Sequence, residues 1–331
     1  MQIIKKQPLV SVIILSRNSL EYTKVCIESV LSSKTNISQE LIIVDNGSSN
    51  EIKKYLDKIE AVKYISSVNL GVANGRNVGY LISSPLSEFV CFLDNDTVVP
   101  DYWVDEFVRA MRFDTKIGIA GSSSNVRALV TDGFDSDVRT EWFEFCKKNY
   151  NLSPKMQLCK FYPKGFSNFA KSERINSQRK VLGQQMPPDY VPGWCLFVRK
   201  SAVQPLLFPF DPEFPIYSAE DIDFSWYVAK NGYESIYNEK VFIHHFKGQS
   251  EVVKNFFEFE KNTWKGYARL SKKWKNEIIY FLSSSQKSIE RNLPYDFGGR
   301  VRTLADYFGF FEKKGNIWSF NEEKVEKWLL S

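Results

Sequence analysis

Two carboxylates lie two positions apart in Asp94-Asn95-Asp96, directly after the apolar run 89–93. In a loop, this spacing can hold both carboxylates near one hard cation and leave coordination positions for phosphate oxygens. Isolated triplets of this kind are more often solvated turns or helix caps. The apolar run before the triplet and the Thr-Val-Val-Pro sequence after it favour a metal site.

A second acidic cluster consists of Glu220, Asp221 and Asp223, just before the mostly apolar residues 224–228. Acids in the first turn of a helix interact favourably with its dipole, and this alone can account for such a cluster. The same position also fixes a carboxylate in place, as a general base in a cleft requires. Both interpretations can hold together.

The chain has two histidines, His244 and His245, which end a predicted strand over residues 234–243. A neutral imidazole can bind Mn²⁺ together with carboxylate oxygens, so one of them could complete a metal site begun at Asp94 and Asp96. Side chains alternate along a strand, so only one histidine can face that site. The sequence does not decide which.

A glycine-rich segment covers residues 69–79, with Gly71, Gly75 and Gly79 at intervals of four. This spacing suits a helix that starts close to a ligand or to a neighbouring backbone. The segment is neither the dinucleotide-binding nor the phosphate-loop motif. The alternative is that the glycines serve helix packing and that Arg76 lies on the surface.

The elements that must position these residues alternate along the chain. Apolar runs at 9–15, 41–44, 62–65 and 89–93 are separated by a helix capped by Asn18 and by helical segments at 51–59 and 72–82. This order predicts an α/β fold with a doubly wound, mostly parallel sheet flanked by helices. The polar clusters 16–18, 45–47 and 94–96 each follow a strand. We therefore expect these clusters to meet beyond the carboxyl edge of the sheet.

The rest of the chain is less regular. Residues 122–190 form a polar insertion with a helix near 141–148, after which a strand at 190–199 and a helix from Glu220 are predicted. Residues 251–331 are helical, aromatic and basic in character. This last segment could lie on an anionic bilayer, pack against the preceding domain or form a dimer. Its interspersed acids make nucleic-acid binding a poor explanation.

Composition sets broad limits on function. The 331 residues are 43% hydrophobic and 25% charged, as in ordinary globular proteins, with a net charge of +5 that permits phosphorylated ligands without requiring them. Five cysteines without a CxxC pair argue against a disulfide framework or a zinc site. The chain shows neither a signal peptide nor a membrane-spanning run, so we expect it in the cytoplasm or at the inner face of the membrane.

Taken in order, seven segments resemble family 2 glycosyltransferases of the GT-A fold. They are VSVIILSRN, IIVDNGSS, NLGVANGRNVGY, VCFLDNDTVVP, VPGWCLFVRKSAV, FDPEFPIYSAEDIDFSWYVAKNGY and VFIHHFKGQS. The resemblance implies a GT-A catalytic domain over 1–250 and a helical C-terminal extension over 251–331. Within the domain, 1–100 would bind the nucleotide sugar, and 101–250, with the insertion, would bind the acceptor.

The resemblance also implies roles for matching residues. The donor site would comprise Ser16, Arg17, Asn18, Asp45, Gly71, Arg76, Asn77, Asp94 and Asn95. Asp96, with Asp94 and one of His244 and His245, would bind Mn²⁺ or Mg²⁺ at the diphosphate. Asp221 of the Glu220-Asp221 motif would be the general base of an inverting transfer. Gly193 and Trp194 would line the acceptor site, although Trp194 could equally pack in the core.

One position departs from the family pattern, because Trp226 stands where many relatives have arginine. UDP is the favoured donor nucleotide and dTDP the alternative, and the mildly preferred acceptor is a lipid-linked bacterial surface glycan. Two other functions remain open. A nucleotidyltransferase shares the fold plan, but it would show a glycine-rich basic loop after the first strand. An inactive nucleotide-sugar-binding module would have no need of the acidic residues.

Overall fold

The computed structural model describes residues 7–125, 136–180, 190–204, 206–247, 256–283 and 297–331. Its strands are β1 Val10–Ser16, β2 Gln39–Asn46, β3 Val62–Ser66, β4 Phe89–Asp94, β5 Thr97–Val98, β6 Ile117–Ser123, β7 Cys195–Arg199, β8 Glu234–Phe242, β9 His244–His245, β10 Phe311–Lys314 and β11 Ile317–Phe320. Seven of them form the central sheet, in the order β3-β2-β1-β4-β7-β6-β8.

The helices of the first 250 residues flank this sheet. They are α1 Leu20–Ser32, α2 Asn50–Leu56, α3 Val72–Ile82, α4 Trp103–Phe113, α5 Ser136–Lys148, α6 Pro154–Phe161, α7 Phe166–Lys180 and α8 Glu220–Lys230. The predicted α/β fold is confirmed, and the predicted bounds of α3 are matched. Asn18 does not cap α1, since both Asn18 and Ser19 have positive φ and the helix begins at Leu20.

The parallel half of the sheet consists of β1 to β4. Alternate side chains of β1 enter two separate cores, with Val12 on one face and Ile13 on the other, which is why the run is apolar throughout. Helix α3 lies close against β1, because a Cβ at Gly75 or Gly79 would come within 2.4 Å of Leu15 or Ile13 respectively. Close packing therefore explains these two glycines.

The other half of the sheet contains an antiparallel strand. β7 pairs antiparallel with both β4 and β6, whereas β6 and β8 run parallel. The predicted strand at 190–199 was too long at its start, because β7 begins at Cys195. Residues 191–194 are buried and lead into β7, and Gly193 uses its backbone groups to bind side chains.

The described parts of the C-terminal extension are mainly helical. They comprise α9 Phe256–Lys273, α10 Lys275–Ser283, α11 Phe297–Arg302 with a following π-turn, and α12 Glu322–Leu330. A hairpin of β10 and β11 adds a short element that the sequence did not predict. Apolar side chains of the extension share one core with α3, β7 and α8, so it packs against the sheet domain. Among the described helices, none has the length and apolar character to cross a membrane.

Candidate active site

The carboxyl ends of neighbouring strands bring the predicted donor residues together. In the parallel ladders Ser16 lies beside Asp45, and Leu15 lies beside Asp94. Strand β5 follows directly and pairs antiparallel with β9, with Thr97 opposite His245. This pairing of distant segments places a histidine next to Asp96.

Asp94, Asp96 and His245 form a group that we call the metal cluster. One ligand atom from each lies within 4.8 Å of the others, and His245 Nε2 is 3.1 Å from Asp96 Oδ1. Asn125 fixes the backbone of His245, accepting from its N–H at 2.8 Å and donating to its carbonyl at 3.1 Å. Two carboxylates and an imidazole suit Mn²⁺, so the residues fit the predicted cation.

His244 faces the opposite way. Its Nδ1 lies 2.9 Å from the hydroxyl of Tyr162, and its ring packs edge-to-face on Trp142 and Phe246 at centroid distances of 4.4 and 4.6 Å. Burial lowers the pKa of His244 well below its usual value, so the ring is neutral. His245 is therefore the histidine of the metal cluster, and His244 anchors β9 to the insertion.

Trp194 is 8% exposed and stacks on His245, with ring centroids 5.3 Å apart. Its carbonyl also accepts from the N–H of Asp94 at 3.0 Å. Trp194 thus supports two members of the metal cluster. Its predicted contact with an acceptor stays a prediction.

Glu220 and Asp221, which we call the acidic pair, begin α8. Burial and the charge of Asp221 raise the pKa of Glu220 to about 7, with Arg76 opposing the rise. Burial also raises the pKa of Asp221, but the N–H groups of Gly193 and Ile222 donate to it at 2.9 Å each and favour its charged form. Asp221 is therefore the better candidate for an ionised base.

Arg76 joins the acidic pair to the metal cluster. Its guanidinium donates to Glu220 at 3.0 Å, to Asp94 at 3.3 Å and to the carbonyl of Gly193 at 2.8 Å. The side chain is 3% exposed, so the surface position considered for Arg76 is wrong. Its described contacts organise the acids, and its predicted contact with the donor base stays a prediction.

Gly193 lies at the centre of this arrangement. Its N–H binds Asp221 and its carbonyl binds Arg76, while a Cβ would come within 2.6 Å of the Arg76 guanidinium. Only glycine leaves room for the arginine at this distance.

The remaining predicted donor residues lie along the same edge. Asp45 is fully buried, and its Oδ2 has no hydrogen-bond partner among the described residues. Asn18 accepts from the N–H of Ser49 in the neighbouring loop, and Asn95 donates to the hydroxyl of Thr23 in α1. The structure also places Ser16 and Arg17 at the end of β1.

Two predicted donor residues have clear structural contacts. The amide of Asn77 both donates to and accepts from the backbone of Phe210, at 2.8 and 3.0 Å. Gly71 has φ of 82° and lies against Ile216, whose carbonyl accepts from the N–H of Val72 at 2.9 Å. Both residues connect α3 to the loop before α8, and their donor contacts stay predictions.

Sequence reasoning missed Tyr217 and Arg300. Burial and the charges of all four acids of the metal cluster and acidic pair raise the pKa of Tyr217, so its hydroxyl lies within the electrostatic range of these acids. Arg300 stacks over Tyr190 at 5.0 Å, donates to the Tyr267 hydroxyl at 3.2 Å and is one of the charges acting on Asp221. Tyr217 stands three residues before Glu220 and could have been considered, whereas nothing local marks Arg300.

Known proteins support the assignment of family and fold. The family described as Glycosyl transferase family 2 matches residues 11–169. An uncharacterized glycosyltransferase of Rickettsia bellii is 37% identical over 90 residues, which are 26% of this chain and 13% of that protein. The putative glycosyltransferase EpsH of Bacillus subtilis is 28% identical over 148 residues, which are 43% of this chain and 42% of that protein. The aligned part is thus less than half the length of these curated relatives.

Solved structures show the same fold at low sequence identity. The mannosyltransferase PcManGT from Pyrobaculum calidifontis, in complex with GDP-Man and Mn²⁺, has a TM-score of 0.52 and 12% identity, with coverage of 81% of this chain and 65% of that one. TarS 1–349 of S. aureus has a TM-score of 0.53 and 15% identity, with coverage of 91% and 74%. The resemblance seen in the sequence is confirmed: residues 11–169 match the glycosyl transferase family 2 model, and the fold is of the GT-A type.

Proposed function

We propose that this protein is a metal-dependent, inverting glycosyltransferase that moves a sugar from a nucleotide-diphosphate sugar to a hydroxyl acceptor. One observation carries the proposal. A potential cation site, the metal cluster, is joined to the acidic pair by Arg76. Sugar transfer requires both functions together, because a diphosphate must leave while a hydroxyl is deprotonated.

The donor would bind at the carboxyl edge of the parallel strands. Asp45 has a buried carboxylate oxygen without a partner among the described residues, which a hydroxyl or a base N–H of a nucleotide could satisfy. Two solved neighbours bind nucleotides with Mn²⁺, GDP-Man in PcManGT and UDP in GalNAc-T7. We favour UDP as the nucleotide here, with dTDP as the alternative.

Asp94, Asp96 and His245 would hold Mn²⁺ or Mg²⁺. When bound, such an ion acts as a Lewis acid that stabilises negative charge on phosphate oxygens. Arg76 keeps the Asp94 carboxylate oriented, and Asn125 keeps His245 in place. The protein therefore supplies a preformed set of ligands.

Asp221 would take the proton from the acceptor hydroxyl as its oxygen attacks the anomeric carbon. The bond from that carbon to the diphosphate breaks on the opposite face, so one displacement inverts the configuration. Glu220 is less suited to this step, because the Arg76 guanidinium already binds its carboxylate at 3.0 Å. Its contact with Arg76 instead supports the geometry of Asp221.

The acceptor in this proposal is a saccharide or a lipid-linked glycan of a bacterial surface polymer. We place the reaction in the cytoplasm or at the inner face of the membrane, with residues 1–250 as the catalytic domain. Residues 251–331 are its extension and could also mediate peripheral membrane contact or a homodimer. The putative glycosyltransferase EpsH is a bacterial relative consistent with this setting.

The test is thermal stabilisation by UDP, dTDP and GDP, each with and without Mn²⁺. A ligand at 100 times its Kd adds about 2.7 kcal/mol to the free energy of unfolding. We expect one nucleotide to stabilise the protein only with Mn²⁺, and Asp96→Ala to abolish the effect. Asp57→Ala, which removes an exposed carboxylate from the end of α2, is the control and should retain it.

Two results would contradict the proposal. Stabilisation by nucleotides without release of nucleoside diphosphate from any nucleotide sugar would favour an inactive binding module. Release of pyrophosphate from a nucleoside triphosphate and a sugar phosphate would favour a nucleotidyltransferase.

A further inference from the structure

The C-terminal extension contacts the segment that carries the acidic pair. Its apolar residues Ala268, Leu270, Trp274 and Ile278 are at most 4% exposed and share a core with Ile222, Phe224 and Trp226 of α8. The rings of Trp226 and Trp274 meet edge-to-face at a centroid distance of 5.5 Å. The family match ends at residue 169, so this packing partner lies outside the matched segment.

Asp223 makes two polar contacts with the extension near the start of α8. Its side chain is 2% exposed and accepts from Lys273 Nζ at 2.7 Å and from Trp274 Nε1 at 2.8 Å. Removing one partner of a buried charged pair leaves an uncompensated charge, which is strongly destabilising. These contacts therefore hold the Asp223 side chain in a defined position. Asp223 follows Asp221 by two residues in the first turn of α8, so its position constrains the start of the helix.

The turn before α8 is also held by α9. Ser218 and Ala219 have φ of 96° and 67°, conformations that non-glycine residues adopt only when their surroundings enforce them. Gly266 of α9 lies directly against this turn, since a Cβ there would be 2.4 Å from the carbonyl oxygen of Ser218. Tyr217 packs on Phe259 of the same helix, with ring centroids 5.6 Å apart.

The loop further upstream has charged contacts with the same helix. Arg269 and Lys273 bind Asp211 at 2.9 and 3.2 Å, so Lys273 bridges Asp211 and Asp223. The extension therefore contacts residues before and after the acidic pair.

We propose that the extension is part of the catalytic unit and that Asp223, bound by Lys273 and Trp274, is the positioning residue that sets Asp221 toward the acceptor. This inference rests on the proposed function of Asp221 as the base. In this proposal, α9 holds the acidic pair in position.

The main experiment compares Asp223→Asn with Glu277→Gln. Both substitutions neutralise a carboxylate that pairs with a lysine between α8 and the extension, but Glu277 binds Lys230 at the far end of α8, at 2.6 Å. The activity probe is release of UDP from UDP-glucose, UDP-galactose and UDP-N-acetylglucosamine, with water as the acceptor. A misplacement of about 1 Å can cost roughly 10²-fold in rate, so we expect kcat to fall by up to about 10²-fold in Asp223→Asn. In Glu277→Gln we expect kcat to stay unchanged.

Two further readouts separate positioning from general stability. The Kd for UDP with Mn²⁺ should be unchanged in both variants, because the metal cluster is held by other residues. Hydrogen exchange of the backbone at residues 219–224 should increase in Asp223→Asn and not in Glu277→Gln. If Asp223→Asn does not fold, Lys273→Gln provides the same comparison, because it leaves the Trp274 bond to Asp223 in place.

The proposal is overturned if the folded variant loses thermal stability but keeps both kcat and the exchange rates at 219–224. A wild-type protein without nucleotide binding or UDP release would instead refute the proposed function. In that case the exchange comparison still decides whether Asp223 positions the start of α8.

Discussion

On the metal side of the site, the contacts that hold the ligands are mostly uncharged, whereas on the acid side they are mostly charged. His245 is fixed by Asn125, by stacking with Trp194 and, through His244, by the aromatic residues of the insertion. The segment around the acidic pair is fixed by Lys273 and Arg269, bound to Asp223 and Asp211 respectively.

This difference shows how the two sides balance their charge. The metal cluster has two carboxylates, and Arg76 is shared between Asp94 and Glu220, so a bound cation would supply the missing positive charge. On the acid side, cationic side chains of the extension bind Asp211 and Asp223, the carboxylates that flank the acidic pair. We therefore expect the metal side to depend on its ion and the acid side to depend on the extension.

The largest effect that separates the two sides should come from Asp221→Asn. Asparagine keeps the shape and can still accept from the N–H of Gly193, but it cannot take up the proton. General-base catalysis contributes about 10²–10⁴-fold, so kcat should fall by that extent. The Kd for UDP with Mn²⁺, measured by calorimetry, should not change. Full turnover by this variant would remove Asp221 as the base.

A smaller effect is expected for Tyr162→Phe, which leaves Nδ1 of the buried His244 without its partner. An unsatisfied buried polar group costs about 1–3 kcal/mol, so Tm should fall. The Kd for Mn²⁺ should stay the same, since Asn125 still holds His245. Tyr150→Phe, at a tyrosine of the insertion that is 84% exposed, is the matched control. A weaker Mn²⁺ affinity in Tyr162→Phe would show that the aromatic packing tunes the metal site directly.

The smallest effect should come from Arg300→Gln on the pH dependence of kcat. Burial raises the pKa of Asp221, and the Arg300 charge is among the influences that lower it. Loss of that charge should raise the pKa, so the base becomes ionised only at higher pH. The acidic limb of the profile should therefore shift upward in Arg300→Gln. In Arg302→Gln, at an exposed arginine of the same helix, it should stay in place. If the acidic limb does not shift in either variant, the Arg300 charge does not influence the pKa of the base.

Much of the fold could be predicted because its signals are local. The apolar runs of β1, β2 and β4 reflect burial on both faces, and a polar cluster follows each of them. The residues of the metal cluster could be proposed from type and spacing. The choice of His245 over His244 could not, because it depends on the pairing of β9 with β5.

Other features depend on contacts between distant residues. Arg76 is buried because it meets Glu220, 144 positions away in sequence, and no local pattern contains that information. Likewise, Asn18 looked like a helix cap, but its side chain binds Ser49 in a neighbouring loop. Tyr217 and Arg300 enter the site through packing of the extension, which periodicity alone does not reveal.

Gly193 limits how the site can be altered by mutagenesis. A library that varies residue 193 would consist largely of inactive members, since any side chain would displace Arg76 and disturb both sides of the site at once. Tyr217 and Arg300 come from separate segments and offer independent positions for variation. Variation is therefore better directed at such positions, with the 191–195 backbone left unaltered.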